Sequence, residues 1–152
     1  MWLVAGSSAD TPAMPETNAT ICRAFAIDDC EGVEFDEVGS LDIDANGTDE
    51  RVFTIVGGGP DLCHVRHACF AVIERHRGRW RVVLSGLGGT VGITGRRAHR
   101  DLIVTAANSA DEHEHIRYRF RDGSYNAVHR QTCELDDRRA PCRAPDVDVV
   151  LQ

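Results

Sequence analysis

The chain has 152 residues, 42% of them hydrophobic and 27% charged, enough for one domain with a core of its own. Its formal net charge of −7 argues against a nucleic-acid partner, because a phosphate backbone calls for a basic face. No apolar run approaches the roughly twenty residues of a membrane-spanning helix, so no membrane span is expected.

The first stretch, "MWLVAGSSADTPAMPETNAT", joins a short apolar piece to small residues. The end of a signal peptide has this texture, although the basic front is missing. Residues 1–19 are therefore read as a flexible tether or signal-peptide remnant, and residues 20–152 as a single disulfide-stabilised β domain. A short helix is expected over "ETNATICRAFAID", residues 16–28. From Val33 onward the texture is that of strands. "GVEFDEVGSLDI" alternates weakly, and "RVFTIV" (51–56) is continuously apolar, as a strand buried on both faces would be. "CFAVIER" (69–75) and "RWRVVLSG" (79–86) flank Arg77-Gly78, which suits a tight hairpin turn. The glycine-rich "GGGP" (57–60) and "GLGGTVG" (86–92) fit neither a dinucleotide fingerprint nor a P-loop and are read as bends at sheet edges. "DLIVTAA" (101–107) is another core strand. "HIRYRFR" (115–121) alternates, with Ile116, Tyr118 and Phe120 inward and Arg117, Arg119 and Arg121 outward. Asp122-Gly123 then signals a hairpin into "SYNAVH", and "DVDVVL" closes the chain as an edge strand. Six or seven strands with short turns and no helix–strand alternation give a mostly β fold. The expectation is an antiparallel β-meander, a single propeller-blade-like or small sandwich sheet, with a short N-terminal helix.

The six cysteines fall into three close couples: Cys22 with Cys30, Cys63 with Cys69, and Cys133 with Cys142. An even count in a modest domain reads as disulfides formed in an oxidising compartment. Pairing within each couple is expected, and with it an extracytoplasmic location, periplasmic or secreted.

Residues 42–50 read D-x-D-x-N-G-x-x-E. Asp42, Asp44, Asn46 and Glu50 offer side-chain oxygens at positions one, three, five and nine. Thr48 can add its backbone carbonyl, and Gly47 sits where the chain must turn. A hard cation takes six to eight oxygens in flexible geometry, so this spacing points to Ca2+ rather than magnesium. The EF-hand is excluded, because its twelfth position is Phe53 and a strand follows directly. The nine-residue form resembles the calcium loop of FG-GAP repeats, as in integrin α-subunit propellers, where D-x-[DN]-x-D-G-x-x-D lies between two strands. Asn46 and Glu50 each replace an aspartate of that pattern. Small secreted bacterial FG-GAP-like proteins share the wider order of "DANGTDE", "CHVRHAC", "HRDLIV" and "RDGSY" across residues 38–126. The resemblance implies a calcium-stabilised sheet unit, with Asp42, Asp44, Asn46, Thr48 and Glu50 as the metal ligands. The loop occurs once, so a full propeller is not expected.

Other clusters compete for attention. His64 and His67 lie between Cys63 and Cys69, but structural zinc sites favour two to four residues between cysteines. A disulfide-closed loop carrying two histidines is the favoured reading. His113 and His115 share one strand face and read either as a transition-metal pair or as a solvated edge. His99 stands in a basic turn with Arg96, Arg97 and Arg100, read as solvated. No G-x-S-x-G motif is present, and paired cysteines leave no thiol nucleophile.

These features point to a secreted or periplasmic calcium-stabilised module that binds another protein, of inhibitor, immunity or accessory-subunit type, and not to an enzyme. The strand face of Arg117, Arg119 and Arg121 is the expected contact for an acidic partner. The alternatives are an extracytoplasmic metal-dependent hydrolase, in which His64, His67, His113 and His115 converge, and a structural subunit of a surface or extracellular assembly.

Overall fold

Helix α1 (Glu16–Ala24) follows Pro15, with Glu16 in its first turn and Arg23 in its last, each suited to the helix dipole. In the computed structural model the described residues are 15–61, 63, 68–107, 109, 111–134, 147 and 149–151, the last three as backbone. The helix stops four residues short of the expected Asp28. Ala26 takes a left-handed φ of 53°, and its N–H donates to Arg23 O while Ile27 N–H donates to Cys22 O. That pair of bonds is a Schellman motif, which satisfies the last carbonyls and turns the chain out of the helix. Because α1 begins at Glu16, the folded part also takes in residues assigned above to the tether. Residues 1–14 lie outside the described residues.

A 3-10 turn (Cys30–Gly32) leads into β1 (Glu34–Leu41), β2 (Glu50–Gly57), β3 (Cys69–His76) and β4 (Arg79–Leu87). These form one antiparallel sheet in chain order. The chain then crosses to a second antiparallel sheet built from β5 (Thr90–Thr94), β6 (Asp101–Ala107), β7 (Glu112–Arg121), β8 (Ser124–Glu134) and β9 (Val149–Leu151), in the order β8-β7-β6-β5-β9. The fold is mostly β and meandering, as expected, and of the two arrangements expected its two sheets correspond to the small sandwich and not to the single blade.

Alternation decides which side chains face which layer. In β2 and β3, Val52, Phe70 and Val72 join Val91, Ile93, Leu102 and Val104 of the second sheet in a shared core. Their neighbours Phe53, Ala71 and Ile73 point the other way and pack on Ile21 of α1. The first sheet is thus covered on both faces, which explains the unbroken apolar run of Cys69–Ile73, all buried. Each such Val, Ile or Phe contributes roughly 1.5–3 kcal/mol on burial.

Both predicted hairpins form. Arg77 and Gly78, like Asp122 and Gly123, have positive φ, as a type I′ turn requires at its two central residues. The segment read as edge bends, "GLGGTVG", behaves differently. It carries the crossover between sheets and then β5, which lies between β6 and β9. A Cβ on Gly88 would collide with Val104 Cγ1 and crowd Phe70, so glycine is needed where one sheet passes over the other.

Two disulfides tie this frame, Cys22–Cys30 and Cys63–Cys69, both as expected. Cys133 is disulfide-bonded too, and its expected partner Cys142 lies outside the described residues.

Candidate metal centre

The acidic loop connects β1 to β2, with Leu41 paired to Glu50 at its mouth. Apolar Ile43, inside the loop, is 1% exposed and belongs to the shared core. Its N–H donates to Glu50 Oε2 at 2.5 Å, and its carbonyl accepts from Arg100 N–H at 3.0 Å. The loop is therefore pinned at its middle to the β5–β6 connection.

Around this pin the backbone N–H groups turn toward the carboxylates. Asn46 N–H lies 3.1 Å from both Asp42 Oδ1 and Asp44 Oδ1, and Gly47 N–H is 3.0 Å from Asp42 Oδ2. Positive φ at Ala45 and Gly47 makes this possible. Asp42, Asp44 and Glu50 converge so that one oxygen from each lies within 4.8 Å of the others. The side chain of Asn46, a fourth expected ligand, is engaged within the loop, in part by the N–H of Thr48, whose carbonyl was the fifth. The Asn46 side-chain oxygen accepts from Thr48 N–H at 2.7 Å, and its amide nitrogen donates to Asp44 Oδ2 at 2.8 Å.

Glu50 is 3% exposed. Burial pushes its carboxyl up to about 7, the Ile43 N–H opposes this, and the negative charges of Asp44 and Glu74 add to the rise. Like charges gathered in a poorly solvated place favour either a proton or a cation.

Asp44 also belongs to a second group, with Glu74 of β3 and His99 of the β5–β6 connection, again within 4.8 Å. The Glu74 side chain is 5% exposed. Arg81 Nε donates to Glu74 Oε1 at 2.7 Å, and its terminal nitrogen donates to the same oxygen. The other oxygen, Oε2, faces His99 Nε2 at 3.7 Å, and Asp44 Oδ2 stands 3.7 Å from that same nitrogen. His99 stacks on Phe120 with ring centroids 3.7 Å apart and planes within 5°. Phe120 meets Tyr125 edge-on, and Tyr125 OH donates to Arg100 O at 2.7 Å. His99 is thus held between an aromatic floor and two carboxylates, contrary to its reading as a residue of a solvated turn. A cleft of about 400 Å³ opens here, lined by Asp44, Glu74, Arg81, His99 and Phe120 among others. Tyr125, beneath it, has its phenol driven up by burial and then by Glu50, Glu74, Asp101 and Asp44, so these carboxylates act on one place. Sequence reading missed Glu74, whose only signal was a carboxylate closing a fully apolar run.

The remaining clusters resolve differently. His113 and His115 do stand together, edge to face at 5.0 Å, and His115 Nδ1 is 3.0 Å from Thr105 Oγ1. The third member of their group is Cys133, whose sulfur is held in a disulfide. Burial, then the charge of His113, lowers the His115 pKa. His64 and His67 lie outside the described residues. The basic strand face is also partly committed. Arg117 Nε and Arg119 Nη2 bind Asp101 Oδ2 at 2.7 and 3.0 Å, which leaves Arg121 as the exposed member of the three.

No protein-family model, no curated protein and no solved structure matches the chain. Among the described residues no helix is long and apolar enough to cross a membrane.

Proposed function

We propose that this protein is an extracytoplasmic, FG-GAP-like module in which a calcium ion held by residues 42–50 fixes the β1–β2 hairpin to the core, and that it works by binding another protein. The observation that carries the reading is the convergence of Asp42, Asp44 and Glu50 around a loop whose N–H groups already orient two of the carboxylates. Oxygen donors in an adaptable loop suit calcium, with the Thr48 carbonyl and water completing the shell and the Asn46 oxygen joining on a small rotation. The disulfides support an oxidising compartment. For the partner, the β7–β8 hairpin supports the reading best. Exposed Arg121 and half-exposed Val128 line an open groove there with Ser124 and Asn126, pairing a charge with an apolar contact.

The test is the thermal midpoint of the oxidised protein in excess EDTA and in calcium at a hundred times its Kd. A single structural ion then stabilises by about 2.7 kcal/mol, which for a domain of this size raises the midpoint by roughly 5–10 °C. Asp42→Ala is expected to abolish the rise. An unchanged midpoint in the unsubstituted protein refutes the calcium site.

A further inference from the structure

Beside the calcium loop, three side chains from three separate segments meet at the mouth of one cleft: Asp44 from the β1–β2 loop, Glu74 from β3 and His99 from the β5–β6 connection. We propose that they form a second, distinct metal site, selective for a zinc-class transition ion, with an open coordination position facing the cleft.

Three observations carry this. The first is donor chemistry. Imidazole nitrogen is a ligand for zinc and its neighbours rather than for calcium, and two carboxylates with one histidine is a donor set those ions accept. The second is spacing. Both His99–carboxylate separations are 3.7 Å, too long for a hydrogen bond. Two donors on one zinc, each about 2.0–2.1 Å from the metal, stand roughly 3.3–3.4 Å apart in a tetrahedral site. The observed edges need to close by only a few tenths of an ångström. The third is the state of Glu74. Its side chain is 95% buried, since 5% is exposed, and Arg81 occupies only Oε1. Oε2 is aimed into the group with no hydrogen bond among the described residues. Arg81 orients the ligating carboxylate from behind, and Phe120 fixes the imidazole plane, as outer partners of metal ligands do. Three protein ligands leave room for a water on the cleft side, the arrangement of zinc sites that exchange ligands.

The site shares Asp44 with the calcium loop but does not depend on that loop being filled. Zinc binding is measured by isothermal titration of ZnCl2 into the oxidised protein, with and without saturating calcium. His99→Phe keeps a ring on Phe120 and removes the ligating nitrogen; His99→Gln serves if that variant does not fold. The unsubstituted protein is expected to show a saturable one-to-one event that His99→Phe weakens at least ~10-fold. Asp42→Ala should keep the zinc event and lose the calcium-dependent thermal shift, while Asp44→Ala should lose both. If zinc binds His99→Phe as tightly as the unsubstituted protein, the ion sits at other histidines and the proposal fails. If the unsubstituted protein shows no such event, His99 is only an ion-pair partner of its carboxylates and the proposal likewise fails, whatever calcium does.

Discussion

Asp101 shows how one side chain changes the meaning of a pattern. Alternation along "HIRYRFR" places its arginines on the outer face, and that is where they lie. Yet Arg117 and Arg119 reach across to the neighbouring strand β6, to a carboxylate that is 1% exposed. Burial alone would raise the Asp101 carboxyl, but hydrogen bonds and charge from Arg119 and Arg117 outweigh it and hold it below the usual range. The depressed pKa sets the sign of the pH effect. The contribution is complete above the unfolded carboxylate value near 4 and is lost as pH falls through the folded value. Asp101→Asn is expected to cost about 1.5–3 kcal/mol at neutral pH, read from urea midpoints, and the gap to the unsubstituted protein should narrow in acid below pH ~4. The sequence offered the arginines but not their partner, because Asp101 is remote in the chain and adjacent only through the pairing of β6 with β7. Glu74 and His99 were hidden for the same reason. The convergence of the loop carboxylates Asp42, Asp44 and Glu50 was legible because their spacing is local.

At the level of elements, α1 is the lid of the first sheet. Ile21 is 1% exposed and packs on Phe53, Ala71 and Ile73, and Cys22 beside it ties the helix to Cys30. Ile21→Ala should cost about 2–5 kcal/mol. Replacing Cys22 and Cys30 by alanine should cost roughly 2–3 kcal/mol by loop-closure entropy. Both losses are measurable by denaturant unfolding, and the Ile21 effect should exceed the disulfide effect if packing is what holds the helix. Strands bounded by hairpin signals were read correctly from period and turn residues alone. β5 was not, because Gly92 and the glycines just before it masked a five-residue strand that the neighbouring strands β6 and β9 hold in place. Tertiary pairing there overrides a weak local preference.

Across the whole molecule, the two sheets share a single core, so neither can lose its inner face without exposing the other's. Unfolding is expected to be one cooperative transition. Far-UV circular dichroism, which reports both sheets, and the fluorescence of Trp80, which packs on the helix side of the first sheet, should give the same midpoint in urea. Separate midpoints would mean that the sheets are independent units. Sequence reading identified the strand-rich class and the antiparallel connectivity. A small sandwich was one of two arrangements the sequence allowed, but the place where the layers divide was not legible, since it depends on where the chain crosses over at Gly88, and a glycine pair reads equally well as a turn or a crossing.

The hydrogen bond from Arg100 N–H to Ile43 O makes the Arg100 amide a built-in clock for the loop. An amide exchanges its proton with solvent only when its bond opens, and local openings occur at lower free energy than global unfolding. With the loop empty, this amide should exchange faster than those in the centre of β6. On the proposed calcium site, adding calcium should slow its exchange while the β6 centre changes little, separating motion of the loop from stability of the fold. Loss of that difference in Asp42→Ala would tie the slowing to the ion itself.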